Sequence, residues 1–436
     1  MERIFKLKAH GTTAKTEVLA GFTTFFAMAY IIFVNPNFLA QTGMDFYAVL
    51  LATCVASAIG CFLTAFLANV PFAQAPGMGL NAFFTYSVCF GMGFTWQQGL
   101  AIVFISGIVF LIITVTPLRK AVIKAIPMPL KAAIGAGIGL FLALIGLCDA
   151  GIIDFSSGVP DLTTELLYGA PMLAIIGIVI TMILLVLKVK GAIFIGIIAT
   201  MLIGIPMGVS PVPTGEEMGT ALSSMNLASA FQMDFNLAAV GIVPAITAIF
   251  SFFLVDMFDT IGTLIGTAGN AGMLDEEGNF PGGDRALIAD AIATCAGACL
   301  GTSTVTTYVE SATGIEEGGR TGLTSVVVGL LFIAFIFIAP IAKMIPMSAV
   351  CAAIVVVGVL MMGGVKQIDW KNLEEAIPCF LAIAIMPFSY SISDGIGWAF
   401  ISWCIIKLVR GKGKEVSPIL YVIAGLFIVM YLLMFL

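Results

Sequence analysis

An otherwise apolar chain is interrupted by the stretch Pro71-Phe-Ala-Gln74-Ala-Pro76-Gly77-Met78-Gly79-Leu-Asn81. Two prolines and two glycines forbid a regular helix over 71–79, and the apolar run that follows, 79–92, is too short to cross a bilayer. A second interruption, Gly301-Thr-Ser-Thr-Val-Thr-Thr307-Tyr308-Val-Glu310-Ser311, leads into another short run, 306–316. Irregular backbone at membrane depth is tolerated only when it is buried in protein or lines a cavity. The pattern therefore predicts two half-helices, each preceded by short extended backbone.

The composition places these interruptions in a membrane protein. The chain has 436 residues, of which 60% are hydrophobic and 10% are charged, and its mean hydropathy is +1.12. A soluble protein typically has about a quarter of its residues charged. This balance excludes a soluble enzyme and a disordered chain. Outer-membrane strands alternate apolar and polar residues, which these runs do not, so we predict an all-α polytopic membrane protein.

The remaining composition excludes two classes of site. Nineteen Lys and Arg residues are spread thinly, with no basic stripe that would suit nucleic acid. The single histidine, His10, precedes the first apolar run. A metal site built on several histidines is therefore excluded, and no cofactor is expected.

A short motif repeats at half the chain length. Lys124-Ala-Ile-Pro127-Met128 recurs as Lys343-Met-Ile-Pro346-Met347, 219 residues later. The two short apolar runs also occupy matching places, third and tenth. These observations predict fourteen transmembrane segments in two seven-segment repeats. Because seven is odd, the second repeat begins on the opposite side of the membrane and is inverted relative to the first. Inverted repeats with interrupted spans in matching places are typical of transporters with a site at the membrane midplane.

Loop charges predict the orientation. The basic residues that follow even-numbered runs are Arg119, Lys120, Lys124, Lys188, Lys190, Arg320, Lys366, Lys371, Lys407, Arg410, Lys412 and Lys414. Loops after odd-numbered runs are mostly acidic or neutral, with Lys343 as an exception. The positive-inside rule then places the N-terminus in the cytoplasm. The first run, 18–36, is expected to be a span rather than a cleaved signal; whether 416–436 spans or lies in the interface stays open.

The eighth apolar run carries two carboxylates. Asp256 and Asp259 are three residues apart, which predicts a shared helical face near the membrane centre, extended by Thr260 and Thr263. Charges inside spans are rare and usually functional, and no Lys or Arg lies in the same run. The alternative is a structural role, with each carboxylate capped by backbone or by a neighbouring helix.

The two half-helices carry further polar groups. Glu310 falls in the first turn after the second interruption, where it could bind a ligand or complete an N-terminal cap. Asn81 lies at the start of the facing half-helix, where it could bind a ligand or make a helix–helix hydrogen bond. Carboxylates, an amide and free backbone N–H and C=O groups suit a small planar ligand with both donors and acceptors, such as a nucleobase. They suit a bare anion poorly.

Several longer motifs resemble one family. They are Gly11-Thr-Thr, Thr24-Phe-Phe-Ala-Met-Ala-Tyr-Ile-Ile-Phe-Val-Asn35-Pro36, Ala75-Pro-Gly-Met-Gly-Leu-Asn81-Ala-Phe-Phe, Asp256-x-x-Asp259-Thr-Ile-Gly and Thr307-Tyr-x-Glu310-Ser. Between about residues 5 and 410 the sequence resembles the nucleobase:cation symporter-2 family, also called the xanthine/uracil permease or nucleobase–ascorbate transporter family. Within it, the sequence is most similar to the adenine/guanine/hypoxanthine permease branch.

The resemblance implies an architecture of core and gate domains, in which the core carries substrate past the gate in an elevator-like motion. The implied parts are 1–118 (core, segments 1–4), 119–237 (gate, segments 5–7), 238–343 (core, segments 8–11), 344–410 (gate, segments 12–14) and 411–436 (a C-terminal hydrophobic segment).

The resemblance also implies a site. Asp259 and Glu310 match the two carboxylates that hold the base in relatives, and Tyr308 matches a binding position. Met78 stands where uracil carriers have a stacking aromatic, so Phe26, Tyr30 or Phe83 is considered as a substitute. The candidate substrate-binding residues are Asp259, Glu310, Asn81, Tyr308, Met78, Gly79, Thr263 and Ser311. The candidate proton-coupling residues are Asp259, Glu310 and Asp256.

The expected function is proton-coupled purine import (adenine, guanine or hypoxanthine) across the inner membrane. The expected partners are the nucleobase and the lipid bilayer, and a homodimer stays open. Sodium coupling also stays open, since carboxylates, hydroxyls and carbonyls suit sodium. An anion carrier or channel of the sulfate-transporter type shares this architecture, but its ligand-facing half-helices should lack acids. An intramembrane enzyme is disfavoured because the spans carry no nucleophile–base set.

Overall fold

The computed structural model describes residues 2–116, 125–156, 158–212, 224–270, 272–274, 280, 282–338, 342 and 344–434. Helices dominate these residues. The helices are α1 Glu2–Phe5, α2 Ala14–Met28, α3 Ile31–Ala40, α4 Phe46–Leu63, α5 Met78–Ala82, α6 Trp96–Val115, α7 Met128–Asp149, α8 Gly169–Val186, α9 Ala192–Gly204, α10 Ile242–Asn270, α11 Gly283–Leu300, α12 Ser311–Glu316, α13 Gly322–Phe335, α14 Met347–Met361, α15 Leu373–Ser389, α16 Ile392–Val409 and α17 Pro418–Met434. The strands are β1 Gln74–Pro76, β2 Ile153–Asp154, β3 Asp161–Leu162 and β4 Val305–Thr307.

Shorter helical pieces extend or join these elements. π-helical turns continue α4 over Thr64–Ala68 and α5 over Phe83–Gly91. Single 3-10 turns lie at Leu237–Ala239, Ile336–Ile338, Met362–Gln367 and Gly413–Glu415.

Eight helical stretches in the described part of the chain are long and apolar enough to cross a membrane. They are Ala14–Ala40, Phe46–Ala68, Trp96–Val115, Met128–Asp149, Gly169–Val186, Ile242–Gly269, Met347–Gln367 and Ile392–Val409. Shorter apolar helices are Ala192–Gly204, Gly322–Phe335 and Pro418–Leu432. Both predicted interruptions fall outside these stretches, as expected for half-helices.

The two interruptions meet as a pair of buried strands. β1 and β4 run antiparallel, with Gln74 opposite Thr307 and Pro76 opposite Val305. β1 leads into α5, and β4 leads through Tyr308–Glu310 into α12. Every residue of both strands is buried. The prediction of short extended backbone before each half-helix is therefore confirmed.

A second set of helices packs around α7 and α14, which begin at the two copies of the repeated motif. Pro127 caps α7 and Pro346 caps α14. α7 also packs against α15, and α14 against α8, so the two halves of the chain make reciprocal contacts. Four of the charges used to predict orientation or the repeat lie outside the described residues: Arg119, Lys120, Lys124 and Lys343.

The crossing of α7 and α14 depends on two glycines. A Cβ atom at Gly139 would lie 2.6 Å from the Gly358 carbonyl oxygen, and a Cβ atom at Gly358 would lie closer still to the Gly139 carbonyl oxygen. Gly358 follows Gly139 by 219 residues, which is the spacing of the repeated motif. Glycine at both positions lets the two backbones approach more closely than side chains would allow.

The C-terminal helix follows its neighbour closely. Leu420, near the start of α17, contacts Cys404 in the second half of α16, and the Phe400 and Phe427 rings are 6.5 Å apart. At the other end, the Tyr431 hydroxyl donates to the Asp394 carbonyl at 3.3 Å. Helix α17 is thus antiparallel to α16 and runs along almost its whole length.

The glycine contact yields a stability prediction. Gly139→Ala should destabilise the protein by about 1–3 kcal/mol, because the added methyl group overlaps the Gly358 backbone. Gly135→Ala is the matched control on the same helix, since a Cβ there meets nothing within 4 Å. Thermal unfolding of both purified variants measures the difference. Equal melting temperatures would contradict a close backbone contact between α7 and α14.

Candidate functional site

Glu310 lies directly before α12, where the chain leaves the strand pair, and it is partly exposed. The Tyr30 hydroxyl donates a 2.6 Å hydrogen bond to Glu310 Oε1. Tyr30 is placed there by the break between α2 and α3, where Ala29 ends one helix and Tyr30 begins the next. A hydroxyl donor on a carboxylate oxygen stabilises the ionised form. Tyr30 therefore orients Glu310 and favours its negative charge.

Asp259 is the second carboxylate of the site, and its side chain is exposed. It shares one face of α10 with Gly262, which is exposed, and with Thr263, which is partly exposed. Helix α10, which carries Asp259, packs against α12, which begins directly after Glu310. The structure thus brings together the carboxylates of the eighth and tenth apolar runs, which are distant in sequence.

Asp256 is covered by a neighbouring helix, whereas Asp259 is exposed. It is 2% exposed, and the Thr294 hydroxyl of α11 lies 3.2 Å from its Oδ2 atom. Three residues turn a helix through about 300°, so their side chains diverge by about 60°. The two carboxylates thus lie on one side of α10, as their spacing predicts, but α11 covers Asp256 and leaves Asp259 exposed.

Asn81 is fully buried in α5, and its two polar atoms differ. The Ser303 hydroxyl donates to Asn81 Oδ1, so the oxygen of Asn81 makes an internal hydrogen bond between segments, as the structural alternative predicted. Asn81 Nδ2 has no hydrogen-bond partner among the described residues. A buried donor without a partner is costly, which makes this atom available to a ligand acceptor.

Met78 and Gly79 begin α5 beside α7. Met78 is 5% exposed, so little of its side chain reaches a cavity. A Cβ atom at Gly79 would lie 2.6 Å from Ile138 Cγ2 of α7. The glycine thus permits close approach of the two helices.

Tyr308 and Ser311 hold the strand pair together. The Tyr308 hydroxyl donates to the Pro76 carbonyl at 2.6 Å, and Ser311 Oγ accepts a 3.0 Å bond from the Ala73 N–H. The Tyr308 ring centroid lies 6.4 Å from that of Tyr30. Both side chains therefore position the backbone next to Glu310.

The three aromatic residues considered as substitutes for a stacking residue lie in different places. Phe83 is fully buried and packs edge-on against Phe252, with 4.8 Å between the two ring centroids. Phe26 is 40% exposed and lines a groove with Lys190 and other residues. Tyr30 is the one of the three that contacts Glu310.

Sequence reasoning missed Asp290. This residue of α11 is fully buried, and its Oδ1 atom is close to Gln74 Nε2 (3.2 Å), Thr260 Oγ1 (3.0 Å) and Thr307 Oγ1 (3.0 Å). A charge inside an apolar run was the signal that identified Asp256, and the same signal exists at Asp290. Its donors come from three separate elements, so only the fold shows what surrounds it.

The fold and the site together define a membrane permease: a bundle of apolar helices surrounds two interrupted segments that present polar groups at their crossing. Residues 15–398 match the model of the xanthine/uracil permease group, described as "Permease family". The chain belongs to this family, and it is a multi-pass membrane protein.

Curated relatives agree with this assignment, and a solved structure shares the fold. The chain is 42% identical over 435 residues to the adenine permease AdeP of Escherichia coli, covering 98% of this chain and 95% of AdeP. It is 41% identical over 442 residues to the guanine/hypoxanthine permease PbuG of Bacillus subtilis, covering 99% of both. The transmembrane domain of the cyanobacterial bicarbonate transporter BicA superposes with a TM-score of 0.67 at 14% identity, covering 88% of this chain and 97% of that domain. This last likeness shows the fold alone.

The different exposure of the two α10 carboxylates can be tested without a substrate. In a background with the native cysteines replaced, Asp259→Cys should react with a water-soluble thiol reagent, because that position is exposed. Asp256→Cys, one turn earlier, should remain unlabelled because α11 covers it. Mass spectrometry of the labelled proteins measures both. Labelling of both positions would contradict the packing of α11 over Asp256.

Proposed function

We propose that this protein is a proton-coupled importer of purine nucleobases: adenine, guanine, hypoxanthine or a subset of these. The observation that carries the proposal is its identity of 41–42%, over nearly the whole chain, to an adenine permease and a guanine/hypoxanthine permease. Fold likeness alone would not indicate a substrate. Similarity to the bicarbonate transporter therefore does not favour the anion-carrier alternative.

The chemistry of the site supports a base as the ligand. An ionised Glu310 accepts hydrogen bonds from ring or exocyclic N–H groups, and its Tyr30 contact leaves a second oxygen for this purpose. Asn81 Nδ2 offers a donor to a ring acceptor. A bare anion would be repelled by Asp259 and Glu310, since no ion pair in the described part of the chain neutralises them.

The proposed architecture is fourteen segments in two inverted seven-segment repeats. Two features recur at the spacing of 219 residues: the motif, whose prolines Pro127 and Pro346 precede α7 and α14, and the glycines Gly139 and Gly358. Reciprocal packing of α7 with α15 and of α14 with α8 is what a two-fold relation requires. Because α17 runs along α16, we propose that it is an additional span.

The proposed core comprises 1–118 and 238–343, and the proposed gate comprises 119–237 and 344–410. Polar contacts join the two near Asp149: the Tyr86 hydroxyl donates to its carboxylate, and Ser87 Oγ donates to the Tyr390 carbonyl at 3.1 Å. Lys190 and Glu317 pair between the proposed gate and core. Such hydrogen bonds and ion pairs can break and re-form, as an elevator-like displacement of the core requires. The loop charges favour a cytoplasmic N-terminus in the inner membrane.

The proposed proton coupling divides the two carboxylates by role. Tyr30 donates to Glu310 and so supports an ionised residue that holds the base. Asp259 has a second negative charge nearby, and a proton on one member of such a pair removes the repulsion. Asp259 is therefore assigned the mobile proton. Asp256 is the next candidate, and sodium is the alternative coupling ion.

Uptake measurements test the proposal. The full-length protein, reconstituted in liposomes, is given radiolabelled adenine, guanine, hypoxanthine, xanthine or uracil, under an imposed pH gradient or sodium gradient. Accumulation of a purine driven by the pH gradient is expected. Accumulation driven only by the sodium gradient would identify sodium as the coupling ion. Failure to transport any of these bases would overturn the proposed function.

Variants of the two carboxylates should behave differently. Asp259→Asn resembles the protonated acid, so it should keep purine binding but lose accumulation driven by a pH gradient. Its purine binding should also vary less with pH than that of the unmodified protein. Glu310→Gln should lose affinity at every pH because the anionic acceptor is gone. Binding by isothermal titration and uptake in liposomes measure the two properties separately.

Asp161→Asn is the control, because Asp161 is exposed in the β2–β3 hairpin and should not affect transport. If Asp259→Asn accumulates purine with unchanged pH dependence, the coupling proton is held elsewhere.

Asn81 has its own test. Asn81→Ala should weaken purine binding by about 1–3 kcal/mol, because an acceptor on the base loses its buried donor. Ser303→Ala is the matched control: it removes the bond to Asn81 Oδ1 and leaves Nδ2 in place. Equal losses of affinity in the two variants would show that Asn81 acts through its internal hydrogen bond and does not bind the base. Isothermal titration with the transported purine provides the comparison.

A further inference from the structure

Asp256 of α10 and Asp290 of α11 are two buried carboxylates beside the strand pair. Asp256 is 2% exposed and Asp290 is fully buried. Thr294, one turn after Asp290 on α11, contacts Asp256, so both carboxylates lie along the contact between α10 and α11. Asp256 Oδ1 and Asp290 Oδ2 are buried atoms without a hydrogen-bond partner among the described residues. Each carboxylate is thus satisfied on one side only.

The contacts of Asp290 are those of an ionised carboxylate. Its Oδ1 atom accepts from Gln74 Nε2 at 3.2 Å and from the hydroxyls of Thr260 and Thr307 at 3.0 Å each. Three donors converge on one oxygen, and hydrogen bonds to the charged form favour it. None of these contacts requires a proton on Asp290.

The contacts of Asp256 depend on where Val305 directs its carbonyl. In the strand ladder, the Tyr308 N–H donates to Ala73 and the Gly77 N–H donates to Thr304. Alternate residues of an antiparallel strand make the ladder bonds. Val305 lies between bonded positions, so its carbonyl points away from β1. It accepts a 2.8 Å bond from the Thr294 hydroxyl of α11.

Thr294 therefore has no proton left for Asp256. A threonine hydroxyl carries one hydrogen and two acceptor lone pairs. Its hydrogen goes to the Val305 carbonyl, which cannot donate. The remaining contact, 3.2 Å between Thr294 Oγ1 and Asp256 Oδ2, is a hydrogen bond only if Asp256 supplies the hydrogen. A hydrogen bond between Thr294 and Asp256 therefore requires a proton on Asp256.

The charge balance gives the same answer. Among the described residues, no salt bridge involves Asp256 or Asp290. Burying an unpaired carboxylate is expensive, and burying two adjacent ones is more so. One proton on Asp256 halves the buried charge of the pair, and three hydrogen-bond donors stabilise the remaining charge on Asp290.

We infer that Asp256 and Asp290 form a second proton-binding pair, distinct from Asp259 and Glu310, which holds one proton, on Asp256, in this conformation. The pair is tied to the strands by Thr307 and by a 2.8 Å contact between Thr260 and Thr306. Loss of its proton would alter the bonds that hold β4, and β4 leads directly to Glu310. The pair would thereby link protonation to the binding site. This last step rests on the proposed function, but the location of the proton does not.

Other ionisable groups approach the pair. Asp259 lies on α10 itself, and its charge interacts with both members. α11 adds Cys295, and the chain after β4 adds Tyr308 and Glu310. The facing helices α5 and α6 carry no ionisable side chain, and α17 meets α10 at Thr247, nine residues before Asp256.

Infrared spectroscopy of the purified full-length protein tests the location of the proton without substrate. A protonated carboxylic acid has a carbonyl stretching band separate from those of carboxylates. At neutral pH, Asp256→Asn should lose one such band relative to the unmodified protein. Thr294→Val should keep the band and shift it, because the acid loses its hydrogen-bond acceptor. Asp161→Asn, at the surface, is the control and should change nothing in this region.

The outcomes separate the inference from the proposed function. No loss of an acid band in Asp256→Asn, or no shift in Thr294→Val, overturns the proton on Asp256. A carboxylate band that responds to added sodium, with no acid band present, shows a cation site and also overturns it. If the bands behave as expected but no purine is transported, the proton pair stands and the proposed function fails. Thr294→Val keeps the test valid if Asp256→Asn does not fold.

Discussion

The structure depends on one constraint: backbone polar groups inside an apolar bundle must find partners within the protein. The chain breaks its helices twice near the centre of the bundle, and each break exposes N–H and C=O groups that lipid cannot satisfy. Pairing β1 with β4 solves both problems at once, since each interruption supplies the partners of the other. Side chains donate to strand carbonyls that the ladder leaves unpaired. The Thr294 hydroxyl donates to the Val305 carbonyl, and the Tyr308 hydroxyl donates to the Pro76 carbonyl.

The same crossing determines where charge can be placed. Donors from neighbouring helices surround the carboxylates near the strands: Tyr30 bonds to Glu310, and three donors bond to Asp290. Asp259 and Glu310 are at least partly exposed and face the proposed substrate, whereas Asp256 and Asp290 are buried among threonine hydroxyls and the Gln74 amide. The region of the strand pair thus holds a ligand-facing carboxylate pair and an internal one.

Away from the crossing, the packing is set by small residues. Gly139 and Gly358 allow α7 and α14 to touch backbone to backbone, and Gly79 allows α5 to approach α7. The first contact lies within the proposed gate and the second between the proposed core and gate. A carrier whose domains move needs close packing inside each domain and contacts between the domains that can break and re-form. The polar contacts of Asp149 and Lys190 are contacts between the proposed domains.

The sequence by itself determined the class of protein, the two interruptions and the repeat, because hydropathy, proline and glycine act locally and the 219-residue offset is visible in the letters. It also identified Asp259 and Glu310, since charges in apolar runs are conspicuous. Only the tertiary structure decided which carboxylate is exposed and which is covered, and it alone showed what surrounds Asp290 and which residue Tyr30 contacts. Those properties depend on donors brought from segments up to 280 residues apart, and no local pattern encodes which helix packs over which face.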